Sequence, residues 1–205
     1  MSTRFDNRSK STFKKDIYFA TKLEKYFFNE WLERRKHNPC GITVDSWKDN
    51  GCGNDGEFIA KGNTAGADYS ICGKVSTGQG GAGILNDEPL EIKWVPTAGK
   101  FTLKENDLRA YVKEKASILF IYNSVRCGTD MRKPKDYDFE RHIKLVESKS
   151  QQIKWGVMWS PRVEELYRRA RDKNMFRPIN YMGGKSGIVL KQEDFTKWFV
   201  SYDWD

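Results

Sequence analysis

Residues 117 to 123, SILFIYN, constrain the fold more than any other part of the chain. A strand that is apolar at nearly every position, and not at every second one, has no face to offer to water, so it belongs in the middle of a covered sheet. Layers on both sides are then required, and the neighbouring pattern supplies helices. Residues 16 to 36, DIYFATKLEKYFFNEWLERRK, read as a long amphipathic helix with Ile17, Ala20, Phe27, Phe28 and Trp31 on one stripe. FTLKENDLRAYVKEKA reads as a second helix, with Thr102 and Glu105 at capping-box spacing. QIKWGVMW is a strand, after which Ser160 and Pro161 open a further helix as N-cap and first-turn residue. GIVLK reads as a strand and EDFTKWF as a short terminal helix.

Between the first helix and the central strand the chain turns repeatedly. DNGCGNDG is turn chemistry, and EFIAKGNTAGADYSICGKV reads as two short strands with Asp68 near the start of the second. The segment GKVSTGQGGAGILNDE lacks the Walker order of glycines, lysine and hydroxyl residue, and reads as a long flexible hairpin connection close to substrate. PLEIKWV forms the next strand. The fold class expected is therefore α/β, a mixed central sheet flanked by helices. With 205 residues there is room for one sizeable core, so residues 1–205 are expected to form a single domain. Its core covers about 16–123, and about 124–205 form a C-terminal α/β extension.

Composition excludes several classes. Hydrophobic residues are 38%, aromatics 14% and charged residues 31% of the chain, a folded protein with a heavily charged surface and not a disordered one. No apolar run is long enough for a membrane span, and the polar, basic N-terminus MSTRFDNRSKSTFKKD has no signal-peptide centre, so a cytosolic setting is expected. A net charge of +8, with local clusters such as ERRKH and YRRARDK, raises the expectation of a polyanionic partner, while solvated surface is the commoner fate of any single basic run. The four cysteines, Cys40, Cys52, Cys72 and Cys127, include no C-x-x-C pair. Reduced thiols are the expectation, with a zinc site built on His37, Cys40 and Cys52 as the alternative. His37 and His142 read as surface residues.

The chemistry gathers around EPLEIKWV. In a strand, Glu91 and Lys93 share one face while Leu90, Ile92 and Trp94 take the neighbouring positions. A strand bearing Asp68, a hairpin, and a strand bearing Glu91 and Lys93 bring three charged side chains to one sheet face. Two carboxylates offer hard oxygen ligands suited to Mg²⁺ or Mn²⁺, and a lysine beside them serves an attacking water and charge on a phosphate. Glu24 lies amid the apolar stripe of the first helix, aimed at the protein, and completes the set. Alternatives stay open from the residues alone. Glu91 and Lys93 would otherwise be a solvent-facing pair on an edge strand, Asp68 a turn residue beside Gly66, and Glu24 a carboxylate paired to Lys or Arg. Glu30 is the substitute on that helix; Asp55, Glu57 and Asp87 compete with Asp68.

This order resembles the PD-(D/E)XK nuclease superfamily, which includes restriction endonucleases, Holliday junction resolvases and some homing endonucleases. The likeness spans roughly residues 16 to 123: a helix with Glu24, a strand with Asp68, Glu91-Ile92-Lys93, then a helix and a buried strand. Ala67 stands before Asp68 where the signature has proline. The resemblance implies a restriction endonuclease-like core and a divalent-metal-dependent DNA endonuclease. It implies that Asp68, Glu91, the Ile92 carbonyl and Glu24 bind Mg²⁺ or Mn²⁺, that Lys93 serves the nucleophilic water, and that DNA, in a nucleoid or viral setting, is the partner. The function of a different class is a non-catalytic nucleic-acid-binding protein on the same fold. Arg168, Arg169, Arg171 and Lys173, on the helix after Ser160, are the expected phosphate contacts. Cutting both strands with one site per chain implies a homodimer.

Overall fold

The computed structural model describes residues 10–37, 41–50, 66–76, 82–125, 131–179 and 185–205. In chain order they form α1 (Lys10–His37), β1 (Ile42–Asp49), β2 (Tyr69–Ser76), β3 (Ala82–Val95), β4 (Lys100–Lys104) and α2 (Glu105–Glu114). There follow β5 (Ser117–Asn123), α3 (Phe139–Glu147), β6 (Ile153–Met158), α4 (Ser160–Asp172), β7 (Arg177–Ile179), β8 (Lys185–Lys191) and β9 (Tyr202–Asp203). The protein is α/β: a mixed six-stranded sheet runs β1-β2-β3-β5-β6-β9, and a small antiparallel sheet runs β4-β8-β7. Only β3 and β5 pair in parallel within the large sheet, because the chain crosses over through β4 and α2 between them.

β5 is buried at all seven positions, as its composition requires. Its side chains alternate between two cores. Leu119 and Ile121 join Phe27, Phe28 and Trp31 of α1, together with Ile143 and Val146 of α3. Ile118, Phe120 and Tyr122 join Leu108 and Tyr111 of α2, Val163 and Leu166 of α4, and Ile188 and Leu190 of β8. Each face of the sheet is thus closed by helices.

Several local expectations are corrected. α1 starts at Lys10, and the side chains it buries are Phe19, Leu23, Phe27, Phe28, Trp31 and Leu32, whereas Ala20 is exposed and Ile17 only partly buried. Thr102 is not in a capping box: residues 100–104 are strand β4, α2 begins at Glu105, and Lys104 occupies the N-cap with no side-chain bond. Pairing with β8 outweighs the local signal, because it buries Phe101 and Leu103. The helix after β6 has Trp159 at its N-cap, with Ser160 already helical. The glycine-rich segment is largely strand, since β2 runs to Ser76 and β3 resumes at Ala82. Asp87 lies inside β3, where a register shift opposite β2 gives it φ 53° and its N–H donates to Cys72 Sγ at 3.3 Å. β1, β4, α3, β7 and β9 were not expected. The strand expected within residues 57–65 lies outside the described residues. No helix among those described is long and apolar enough to cross a membrane.

Candidate active site

The site follows from where β2 stops. β2 and β3 pair from Ser76 opposite Ala82 down to Tyr69 opposite Leu90, and β5 pairs with β3 from Leu90 to Val95. Residues 91–95 therefore have β5 on one edge and no β2 partner on the other. Asp68, one residue before β2, covers part of that open edge: the Ile92 N–H donates to its Oδ2 at 3.1 Å. In a strand the N–H and C=O of one residue leave on the same edge, so the Ile92 carbonyl faces the same opening.

Along β3 the side chains alternate as the sequence implies. Leu90 and Ile92 pack into the α1 core and Trp94 packs against it, while Val95 enters the core beneath α2. Glu91 and Lys93 share the α2 side, where Tyr111 Oη donates to Glu91 Oε1 at 2.6 Å and Lys93 Nζ contacts the same carboxylate oxygen. Glu91 is only 5% exposed, so a solvent-facing edge pair is ruled out.

Glu24 reaches the opening from the other layer. One turn beyond it on α1, Phe27 packs at a tilt on Trp94 with centroids 4.1 Å apart, and Phe28 stacks on Tyr69 at 3.8 Å. Trp94 adjoins Lys93 in the chain and Tyr69 adjoins Asp68, so the two ring contacts fix α1 across the divide between β2 and β3. Positions three and four apart share a helix face, which puts Glu24 over that divide.

Burial and mutual repulsion shape the protonation of this set. Glu24 is raised from 4.5 to about 8, first by burial, with Asp68 and Glu91 adding to the rise and Lys93 opposing it. Asp68 is raised from 3.8 to about 7, again first by burial, then by Glu91, against the pull of Lys93 and the Ile92 N–H. Burial acts to lower Lys93, yet Glu91, Tyr111, Glu24 and Asp68 outweigh it and hold the ammonium well above its ordinary range. Tyr111 is pushed up by burial and by Glu91, so its hydroxyl keeps its proton and remains a donor. The arrangement concentrates three carboxyl groups and one ammonium in a sheltered opening. Sites that shift acids toward neutrality in this way are catalytic candidates.

The competing acids fall elsewhere. Glu30 pairs with Arg34 at 3.5 Å along α1, and Asp87 sits in the exposed bulge of β3. Asp55 and Glu57 lie outside the described residues, as do Cys40, Cys52, Cys127 and the His37 side chain. Cys72 is a free thiol, partly buried. His142 is not a surface residue. It is 2% exposed, packed against Phe19 with ring centroids 5.5 Å apart, because α3 lays its apolar face on α1. Arg168, Arg169, Arg171 and Lys173 are exposed along α4, on the α2 side of the sheet.

Three supports escaped sequence reasoning. Tyr111 lies three residues after Leu108 on the buried face of α2, and a buried phenol seeks an acceptor, which was the available signal. Asn50 holds the strand entry through its N–H to the Asp68 carbonyl at 3.0 Å, and its amide reaches the Ala67 carbonyl at 3.2 Å. Glu114 accepts from the Ala67 N–H at 3.1 Å. These last two contacts join residues far apart in the chain and leave no local mark.

For a hard divalent cation the donors are of the right kind. Glu91 stands near enough to raise the Asp68 carboxyl, and with all groups ionised the three carboxylates exceed the one ammonium by two charges. As folded, no three His, Cys, Asp or Glu side chains among the described residues are grouped closely enough to hold a metal ion. Lys93 and Tyr111 both contact Glu91 Oε1, so ligation by Glu91 would fall to its other oxygen. Comparison of the chain with protein-family models, curated proteins and solved structures finds no match in any of the three.

Proposed function

We propose that this chain is a divalent-metal-dependent DNA endonuclease that hydrolyses phosphodiester bonds through a PD-(D/E)XK-type site on a restriction endonuclease-like core. The observation that carries the reading is the gathering of Asp68, Glu91 and Lys93 on β3 beyond the end of β2, with Glu24 near enough to feel their charge. The order α1, an antiparallel β1-β2-β3 meander, a crossover helix and parallel β5 supports it. Asp68, Glu91, the Ile92 carbonyl and Glu24 would hold Mg²⁺ or Mn²⁺. When bound, such an ion polarises the phosphate and lowers the pKa of a water.

The chain's own residues divide the remaining work. Lys93 stays protonated among its acids, so it donates: it orients the attacking water and stabilises charge growing on the phosphate oxygens. It is not the base. Glu24, reaching the opening from α1, would complete the cation's shell from the other layer. Tyr111 keeps Glu91 in one rotamer through its 2.6 Å bond. The exposed basic residues of α4 supply phosphate contacts.

The direct Lys93–Glu91 contact favours a second reading, a non-catalytic nucleic-acid-binding protein on this fold whose charges pair internally. Incubation with supercoiled plasmid and with branched DNA, with and without magnesium, tests the choice. Magnesium-dependent nicking or cutting is expected, together with a higher melting temperature in magnesium. DNA binding with no cleavage and no response to Mg²⁺ or Mn²⁺ would overturn the nuclease reading.

A further inference from the structure

A second cluster lies on the opposite flank of α1 from Glu24. Lys15, Tyr18, Phe19 and Lys22 fall at spacings of three, four and seven on the helix, so they form one stripe. The stripe faces Tyr137 and Phe139 at the start of α3, and between them is a cleft of about 290 Å³. That volume lies at the small end for a ligand site.

Rings and cations interleave in this cleft. Phe19 meets Tyr137 and Phe139 edge-on, with centroids 6.1 and 5.8 Å apart. Lys22 Nζ stands 4.1 Å from the Phe139 ring centre, and Lys133 Nζ 4.3 Å from that of Tyr137. The acids nearby already have partners: Asp136 is bound by Arg141 at 2.7 Å, while Asp16 contacts Lys133 and accepts from Tyr137 Oη at 2.5 Å. Tyr137 itself holds φ 58°, a backbone region that a bulky aromatic residue rarely adopts. The Asp16 bond and the Pro134 carbonyl, which accepts from the Tyr137 N–H at 3.2 Å, keep it there. Tyr18 is 60% exposed at the rim, a large ring presented to solvent.

We infer that this cleft binds a single-stranded nucleic-acid segment, with the Tyr18 ring as the stacking surface and Lys15 and Lys22 on the phosphates. Every base has a π face, so ring stacking combined with backbone lysines is the chemistry that holds single strands without reading their sequence. A duplex buries its base faces within its own stack and gains nothing from Tyr18. The net charge of +8 agrees with a polyanionic occupant. The inference does not rest on the hydrolytic reading, because the cleft is separated from Glu24 by the body of α1, about 10–12 Å across with its side chains.

Fluorescence anisotropy with a short labelled oligothymidylate, in EDTA so that no cleavage intervenes, tests it. Tyr18→Ala is expected to weaken binding roughly tenfold and Tyr18→Phe to restore it, since stacking needs the ring and not the hydroxyl. Lys15→Ala with Lys22→Ala is expected to weaken binding and to reduce its salt dependence. Lys113→Ala, an exposed charge on α2 across the sheet, tested in parallel, is expected to bind as the wild type does, which separates this cleft from diffuse surface charge. Tyr18 and Lys15 are exposed, so melting curves of these variants should match the wild type. Wild-type affinity in both the Tyr18→Ala and the double-lysine variant would overturn the inference, as would equal losses of single-strand and duplex binding in Tyr18→Ala.

Discussion

Asp68 Oδ2 accepts the Ile92 N–H at 3.1 Å, so a carboxyl group takes the place on the edge of β3 that a further residue of β2 would have filled. An acid is thereby fixed beside Glu91 and Lys93 by a backbone bond, not by a mobile side chain. The sheet itself sets the spacing of the candidate site.

Lys93→Ala is expected to lower plasmid cleavage by about 100-fold or more while leaving DNA affinity close to wild type. On the nuclease reading the ammonium would act on charge that exists only in the transition state, so rate should suffer more than binding. Single-turnover cleavage beside a binding titration checks this. Cleavage at the wild-type rate would remove the assignment.

Asp68→Asn and Glu91→Gln should each weaken Mn²⁺ binding by more than the roughly tenfold that loss of a supporting hydrogen bond costs a metal site. A neutral amide surrenders the charge that attracts a hard cation. Calorimetric titration with manganese is the measurement, and unchanged affinity in both variants would place the ligands elsewhere.

The raised acids give stability a pH dependence of definite sign. Free Asp and Glu release their protons near 3.8 and 4.5, whereas Asp68 and Glu24 hold theirs to about 7 and about 8. Between these limits the folded chain binds more protons than the unfolded chain, so raising the pH favours unfolding; at pH below both ordinary values the penalty vanishes. The metal-free protein should therefore melt several degrees lower at about pH 9 than at about pH 5, and Asp68→Asn with Glu24→Gln should flatten that slope. Magnesium, if held by the ionised carboxylates as proposed, should flatten it too. Melting curves across pH in EDTA decide the point: a double variant with the wild-type slope contradicts this account.

Tyr111→Phe retains the ring against its neighbours on α2 and removes the donor to Glu91. A buried acceptor left short of a partner costs about 1–3 kcal/mol. Denaturant unfolding should report that loss, and cleavage should slow through poorer positioning of Glu91. A variant as stable and as active as the wild type would show that Lys93 alone holds the carboxylate.

Arg168, Arg169, Arg171 and Lys173 span little more than one turn and a half of α4 and its end, so two or three can face DNA at once. Replacing two of them should weaken binding equally across DNA sequences and lower the salt slope by about 1 for each phosphate no longer neutralised. Affinity measured over a range of salt concentrations reads both quantities. A double variant with wild-type affinity and slope leaves α4 without a DNA role.

The sequence by itself determined the elements whose signal is local and repeated. SILFIYN could only be a strand covered on both faces, and the alternation of EPLEIKWV put Glu91 and Lys93 on one side of β3 with Leu90 and Ile92 on the other. α1 is legible as a helix, but periodicity alone sets its buried stripe on Ile17 and Ala20, where the fold buries Phe19 and Leu23. What faces inward depends on the packing partner as well as on periodicity. Only tertiary structure decided that Thr102 belongs to a strand, because the pairing that makes β4 comes from β8, far along the chain. It decided equally that His142 is buried beneath Phe19, that Tyr111 serves Glu91, and that Asp68 meets Ile92. Each of those relationships joins residues that are distant in sequence. A local pattern specifies which way a side chain points along its own element, whereas the group it meets is set by how the layers close, which no single segment encodes.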